Sequence, residues 1–251
     1  MDMSLYLTIA LGAVVAGFVQ GLSGFAFGLV AMSFWAWTVD PRLAAVLATA
    51  GALTGQLIAA FTVRRDFNKA LLMPFVVGGL IGVPLGVWLL PMLNIQVFKA
   101  CLGTLLVLWC PAMLMSRKLP RVTAGGRWAD AVAGWLGGVC GGIGGFAGAV
   151  PTLWCTLRGM EKDVQRAVVQ NFNLTMLSVA FALQLGTGLV TSDMLPLIAM
   201  VAVCVLVPVL LGARLYIGIS EANFRKIVLG LLTASGVALL ASSLPVLLRN
   251  L

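Results

Sequence analysis

The chain has 251 residues, of which 61% are hydrophobic and 10% charged. A soluble domain carries about a quarter charged residues, so most of this surface has to face lipid. The net charge of +8 does not read as nucleic-acid binding, because the basic residues lie between apolar segments rather than along one face.

Charge-free runs cover residues 3–39, 43–63, 70–98, 100–116, 131–157, 167–192, 194–213 and 227–248, eight segments in all. A spanning helix needs about 20 residues, within a range of about 17–25. Six of the runs fit one crossing each once turns are trimmed, and Pro91 to Asn94 divides the third from the fourth. Residues 3–39 are too long for one crossing and slightly short for two, and residues 128–157 share that character. Each of these is expected to form two helices of about 15 residues, broken at glycines. The N-terminus has no basic region before its apolar stretch, so the first segment is expected to stay in the mature protein.

The glycines are duplicated. Gly21-Leu22-Ser23-Gly24-Phe25-Ala26 recurs 121 residues later as Gly142-Ile143-Gly144-Gly145-Phe146-Ala147. Gly17 and Gly138 keep that offset, as do Leu53-Thr54 and Leu174-Thr175. Gly86 precedes Phe98-Lys99 by the same spacing as Gly212 precedes Phe224-Arg225. Matched helix breaks in two membrane halves are the pattern of a transporter built from repeats.

The charges choose a topology. With one crossing per segment, Arg64, Arg65 and Lys69 share a side with Arg117, Lys118, Arg121 and Arg127. Arg158, Lys162, Arg166, Arg214, Arg225 and Lys226 then fall on the opposite side, against the positive-inside rule. If the first and fifth segments enter and return on one side, thirteen of the sixteen basic residues become cytoplasmic. Only Arg42, Lys99 and Arg249 stay outside. The expected fold is therefore an all-α integral membrane protein with eight hydrophobic segments in two inverted repeats. Each repeat begins with a glycine-broken segment, re-entrant or discontinuous, and both termini face outward. The first repeat spans residues 1–116, a cytoplasmic linker 117–127, and the second repeat 128–251. The expected location is a bacterial inner membrane, crossed several times.

Irregular backbone at membrane depth is tolerated where it lines a cavity or is packed in protein. A helix that starts mid-membrane attracts anions to its positive end without placing a formal charge in the bilayer. Gly21, Ser23, Gly24 and Phe25, with Gly142, Gly144, Gly145 and Phe146, are thus expected to frame a central anion site, Ser23 adding a hydroxyl. The alternative is that the glycines serve tight helix packing. Thr49 and Gln56 from the second segment, and Gln170, Asn171, Asn173 and Thr175 from the sixth, complete the candidate set. Amides in apolar surroundings need partners, so these read either as substrate contacts or as interhelical hydrogen bonds. Arg166 is read either as interfacial, partnered by Glu161 or Asp163, or as attracting the anion. Arg158 and Arg214 read as reaching to lipid headgroups.

The chain has no histidine, and no Asp or Glu lies in a charge-free run. That argues against an enzyme and against a carboxylate proton relay. Gly141-Gly142-Ile143-Gly144-Gly145 lacks the following Gly-Lys-Ser/Thr of a nucleotide loop. Cys101, Cys110, Cys140, Cys155 and Cys204 form no CxxC pair and read as small buried hydrophobes, so no metal and no cofactor are expected.

The total length, the eight segments and the paired motifs Gly17-Phe18-Val19-Gln20-Gly21-Leu22-Ser23-Gly24-Phe25 and Gly138-Val139-Cys140-Gly141-Gly142-Ile143-Gly144-Gly145-Phe146, with Pro151 soon after, resemble the TauE/SafE family of bacterial membrane permeases. The resemblance covers nearly the whole chain and implies transport of sulfite, sulfoacetate or another organosulfonate. The first half departs from the commoner pattern: Ser23-Gly24-Phe25-Ala26-Phe27-Gly28 has fewer consecutive glycines, and Val30 stands where the second half has Pro151. The expected partners are a small anionic substrate and the lipid bilayer, the protein being a monomer or homodimer. The expected mechanism is alternating access by rocking one half against the other. The rivals are a passive anion channel, a permease for a non-sulfur organic anion, and a structural subunit of a larger complex.

Overall fold

The computed structural model describes residues 3–62, 68–115, 121–215 and 221–249, with the backbone alone for 221–225 and 227. Arg64, Arg65, Arg117 and Lys118, and with them linker residues 117–120, lie outside the described residues. So do the side chains of Phe224 and Arg225.

Helices account for nearly all of the described chain, and no strand occurs among those residues. In chain order they are α1 (Met3–Ser23), α2 (Phe27–Trp35), α3 (Pro41–Thr62), α4 (Lys69–Leu89) and α5 (Ile95–Met115). The rest are α6 (Gly126–Gly144), α7 (Ala149–Leu157), α8 (Lys162–Gly186), α9 (Leu195–Leu215) and α10 (Glu221–Arg249). Short polar residues set several of the starts. Asp40 Oδ1 accepts from the backbone N–H groups of Arg42 and Leu43 at the start of α3. Asn68 Oδ1 accepts from Leu71, and Asn94 Oδ1 from Val97, at the starts of α4 and α5.

Among the described residues, seven helices are long and apolar enough to cross a membrane: α1, α3, α4 with its 3-10 extension to Met92, α5, α8, α9 with its preceding turn, and α10 from Val228. The stretches 3–39 and 128–157 do not divide evenly. The expected pairs of about 15 residues are instead helices of 21 and 9 residues, then 19 and 9. The reason is which glycine turns. Gly24 (φ 84°) and Gly145 (φ 71°) take the left-handed conformation, which costs an L side chain about 1–2 kcal/mol. Gly17, Gly21, Gly138 and Gly142 stay helical and serve packing.

That packing is backbone against backbone. Gly17 and Gly21 of α1 lie on Val205, Val209 and Gly212 of α9. Gly138 and Gly142 of α6 lie on Gly79, Val83 and Gly86 of α4. A Cβ on Gly21, Gly138 or Gly142 would run into the neighbouring backbone, and one on Gly17 would meet it tightly, which is how small residues join membrane helices. α5 and α10 meet at Gly103 and Gly236 and touch the other helices mainly through α2 and α7. α3 packs on α8, α3 on α9 and α4 on α8.

α2 folds back along α1, bringing Trp35 against Gly12, while α3 runs alongside α1. α7 folds back along α6 in the same way. The C-terminal ends of α3, α5 and α9 therefore meet the N-terminal ends of α4, α6, α8 and α10 at one end of the bundle, while α1 stops short of it at the Gly24 turn. Lys69, Arg121, Arg127, Arg158, Lys162, Arg166, Arg214 and Lys226 lie at this basic end. Arg42 and Lys99 lie at the other, where Arg42 donates to the Pro91 carbonyl (2.9 Å) and Lys99 sits 5.3 Å from the Trp37 ring.

Candidate anion site

The two breaks touch. The turn Gly24–Ala26 and the turn Gly145–Gly148 come together between α3 and α8: Phe25 Cβ lies beside Gly148, and Gly28 lies on the carbonyls of Gly144 and Gly145. Each break also leans on the long helix of the other half. Gly24 abuts the Gln170 side chain of α8, and Gly145 abuts the backbone of Ala48 and Thr49 in α3. The N-terminal ends of α2 and α7 thus start near the middle of the bundle. Each is nine residues, about 14 Å, roughly half a hydrocarbon core.

Amides hold the first break. Gln56 Nε2 donates to the Gly24 carbonyl (2.6 Å), and Gln20 Nε2 donates to the Ala52 carbonyl (2.9 Å). Gln170 is buried, and its amide oxygen has no hydrogen-bond partner, nor has that of Gln20. A buried acceptor left unmade costs about 1–3 kcal/mol, so both point to a missing polar partner. Ser23 Oγ accepts from the N–H groups of Phe25 and Ala26 (3.4 and 3.2 Å). Its own proton stays available to donate.

A cavity of about 260 Å³ reaches this break from the basic end. Its polar lining is Ser23, Thr152, Gln165, Arg166 and Gln170, with Lys162 and Thr156 towards the mouth. Gln165 Nε2 donates to Thr156 Oγ1 (2.9 Å), while the buried Thr152 hydroxyl has no partner. Aromatic and aliphatic groups make the rest. Phe25 and Trp109 stand edge to face at 5.7 Å, and the Trp109 indole donates to the Ala149 carbonyl (2.7 Å) at the start of α7. A second space of about 10 Å³, enough for one water, lies behind Gln170 and is lined by Gln20, Gly21, Gly24, Gln56 and Arg166.

The sequence candidates divide between these places. Ser23, Phe25, Arg166 and Gln170 line the larger cavity; Gly21, Gly24 and Gln56 line the smaller one behind it. Gly142 packs on α4, and Gly144 and Phe146 pack on each other. Gly145 and Asn173 stand at the second break, where Asn173 faces Gly148 with its amide oxygen unpartnered. Thr49 is fully buried, donates to the Ala45 carbonyl and accepts from Gln184 Nε2 (3.2 Å). Thr175 donates to the Asn171 carbonyl within α8, and neither lines a cavity. Sequence reasoning missed Gln20, Thr152 and Trp109. Gln20 stands one helical turn before Gly24, which was a usable signal; nothing local marks the other two.

The second hairpin carries a charge pair where interfacial charges were expected. Arg158 does not reach for headgroups: its Nη1 lies 2.6 Å from Asp130 Oδ1. Trp154 Nε1 donates to the same oxygen (2.7 Å). Asp130 is 3% exposed, one turn into α6, so an acidic residue is buried in this bundle after all. Among the described residues, no group of acidic or cysteine side chains could hold a metal ion.

The family model described as "Sulfite exporter TauE/SafE" matches residues 9–239. No curated protein and no solved structure matches the chain.

Proposed function

The chain belongs to the TauE/SafE sulfite exporter family, a family of membrane transporters, and on that premise we propose that it carries a small anion across a bacterial inner membrane by alternating access. The expected cargo is a sulfite or an organosulfonate. The observation that carries this reading is the meeting of two helix breaks, one of them reached by a cavity with cationic and hydroxyl groups in its wall. Helix starts supply positive ends there, and Arg166 and Lys162 raise the local anion concentration.

Several observations support two inverted repeats. The α1–α9 contact and the α4–α6 contact use glycines at equivalent offsets. α3 lies on α9 as α8 lies on α4, and α5 pairs with α10. If the basic end is cytoplasmic, the first hairpin enters from outside and the second from inside.

The same relation gives the motion. The cavity's counterparts at the opposite end are Trp35, Leu90, Leu102 and Leu106, all buried. A cavity at the basic end with buried residues at the corresponding places of the other end supports a carrier over a passive channel. The two halves of the sequence are joined by glycine contacts at three places, so they are poor rigid bodies. The α5–α10 pair, which forms one wall of the cavity and packs mostly on itself, is the better moving part. Tilting it over α2 and α7 closes this cavity and opens its counterpart.

Counterflow in proteoliposomes tests the proposal. Preloaded sulfite or sulfoacetate should accelerate uptake of the labelled anion. Uptake that ignores preloading would mean a channel, and no uptake of any small anion would remove the transport reading.

A further inference from the structure

We propose that the two ends of the anion path open by different means, and that the end away from the basic one is closed by a side-chain gate made of Phe27 and Trp35; this rests on the carrier reading above. The 121-residue offset between the halves sets Phe27, Ala31 and Trp35 of α2 against Gly148, Thr152 and Thr156, in and just before α7. Residues four apart share a helix face. On α7 that face is small and polar, and Thr152 and Thr156 line the cavity. On α2 it carries two rings, and Phe27, Ala31 and Trp35 are fully buried. The same stretch of backbone is a cavity wall in one half and a plug in the other. Both rings rest on glycines. Trp35 lies over Gly12 of α1 and Phe27 over Gly51 of α3, where a Cβ would take the space of the ring. The second half reverses this. The equivalent of Gly51 is Phe172, whose ring packs on Phe75 of α4 with centroids 6.4 Å apart and stays out of the cavity wall. Ring and glycine have changed places between the halves. Phe27 and Trp35 meet edge to face at 6.2 Å, so together they fill the α2 face from the break to its far end.

A gate needs a second arrangement, and Trp35 supplies the reason for one. Its indole N–H has no hydrogen-bond partner among the described residues. Buried tryptophan N–H groups usually find one, and a donor left unpaired is costly. Turned into an open path, the N–H meets water or the anion itself and gains the bond that the sealed form denies it. The contrast is Trp109 in the open cavity, whose indole donates to the Ala149 carbonyl (2.7 Å) and holds its ring in place. α10 packs on α2, so the tilt of the α5–α10 pair changes what confines the two rings and links the gate to the helix movement.

Labelled sulfite in proteoliposomes of the full chain reads the gate. Trp35→Ala should leak: uptake without preloading should rise severalfold, and preloaded sulfite should no longer accelerate it. Trp35→Phe keeps a ring without the N–H, so it should stay tight and exchange more slowly than wild type. A tight Trp35→Ala carrier with wild-type acceleration would overturn the gate and leave the carrier standing. Wild-type uptake that ignores preloading would remove both. Ala31→Cys in the otherwise unchanged chain decides the question if Trp35→Ala does not fold. Ala31 lies one turn from Trp35 towards the break. A membrane-impermeant maleimide is added to each face in turn, and labelling is read above that of the five native cysteines. The new thiol should be labelled from the face away from the basic end during sulfite counterflow, and not at rest. Equal labelling in both conditions, or none during active counterflow, would overturn the gate.

Discussion

The two hairpins share a backbone and differ in what holds them. In the first, α1 and α2 are tied to α3 by Gln20 and Gln56, and the turn at Gly24 faces Gln170 and the cavity behind Ser23. In the second, α6 and α7 are clasped by the pair of buried Asp130 with partly exposed Arg158, and the turn at Gly145 is pressed against the backbone of Ala48 and Thr49. The glycines that set the path match between the two hairpins, and the side chains that hold them differ. One break is reached by a cavity, and the other is packed on backbone. On the reading proposed above, the first hairpin binds the anion and the second is its packed counterpart.

The sharpest way to break that comparison is to block each turn. Gly24→Leu and Gly145→Leu should both abolish transport while the protein still inserts, measured by counterflow beside membrane fractionation. Normal transport by both would remove the role given to the breaks. Alanine separates them. Gly145→Ala meets fixed backbone as well as a left-handed φ and should cost about 3 kcal/mol of stability. Gly24→Ala meets only the Gln170 side chain and should cost about 1–2 kcal/mol, but it displaces that amide and, on the proposed reading, should lower anion affinity. Equal stability losses would mean that the two turns are equally confined.

The clasp gives the next effect. Asp130→Asn leaves a guanidinium without its carboxylate and should cost about 2 kcal/mol, since Arg158 is partly exposed. The ranking of anions should not change. Asp130→Leu combined with Arg158→Met should recover most of the loss. A changed substrate ranking in either variant would move the second hairpin into the binding site. The smallest effect is expected at Thr175→Val, which removes a bond made within α8 and should stay within about 0.5 kcal/mol with transport unchanged.

Much of this was legible in the sequence because it lives in the backbone. Glycine is the residue that takes a left-handed turn and lets helices touch, so the two glycine clusters announce breaks. Which glycine turns was not legible, because Gly21 and Gly24 look alike until a partner helix is in place. The Asp130–Arg158 pair was hidden for a similar reason. The two residues are 28 apart and meet only once α7 folds back on α6. A count of charges along the chain places both at an interface. The cavity was hidden too, since its apolar wall is made by α5 and α10, whose residues read as ordinary lipid-facing helix.

The most direct measurement is the anion-induced rise in melting temperature of the purified protein, compared among wild type, Gln170→Leu and Gln184→Leu. Both glutamines are buried in α8, one at the first break and one bonded to Thr49 away from the cavity. A ligand that binds the folded state alone raises stability with its concentration over its dissociation constant. The rise should be lost in Gln170→Leu and kept in Gln184→Leu. A rise kept in the first variant and lost in the second would place the anion elsewhere and contradict the assignment of binding to the first break.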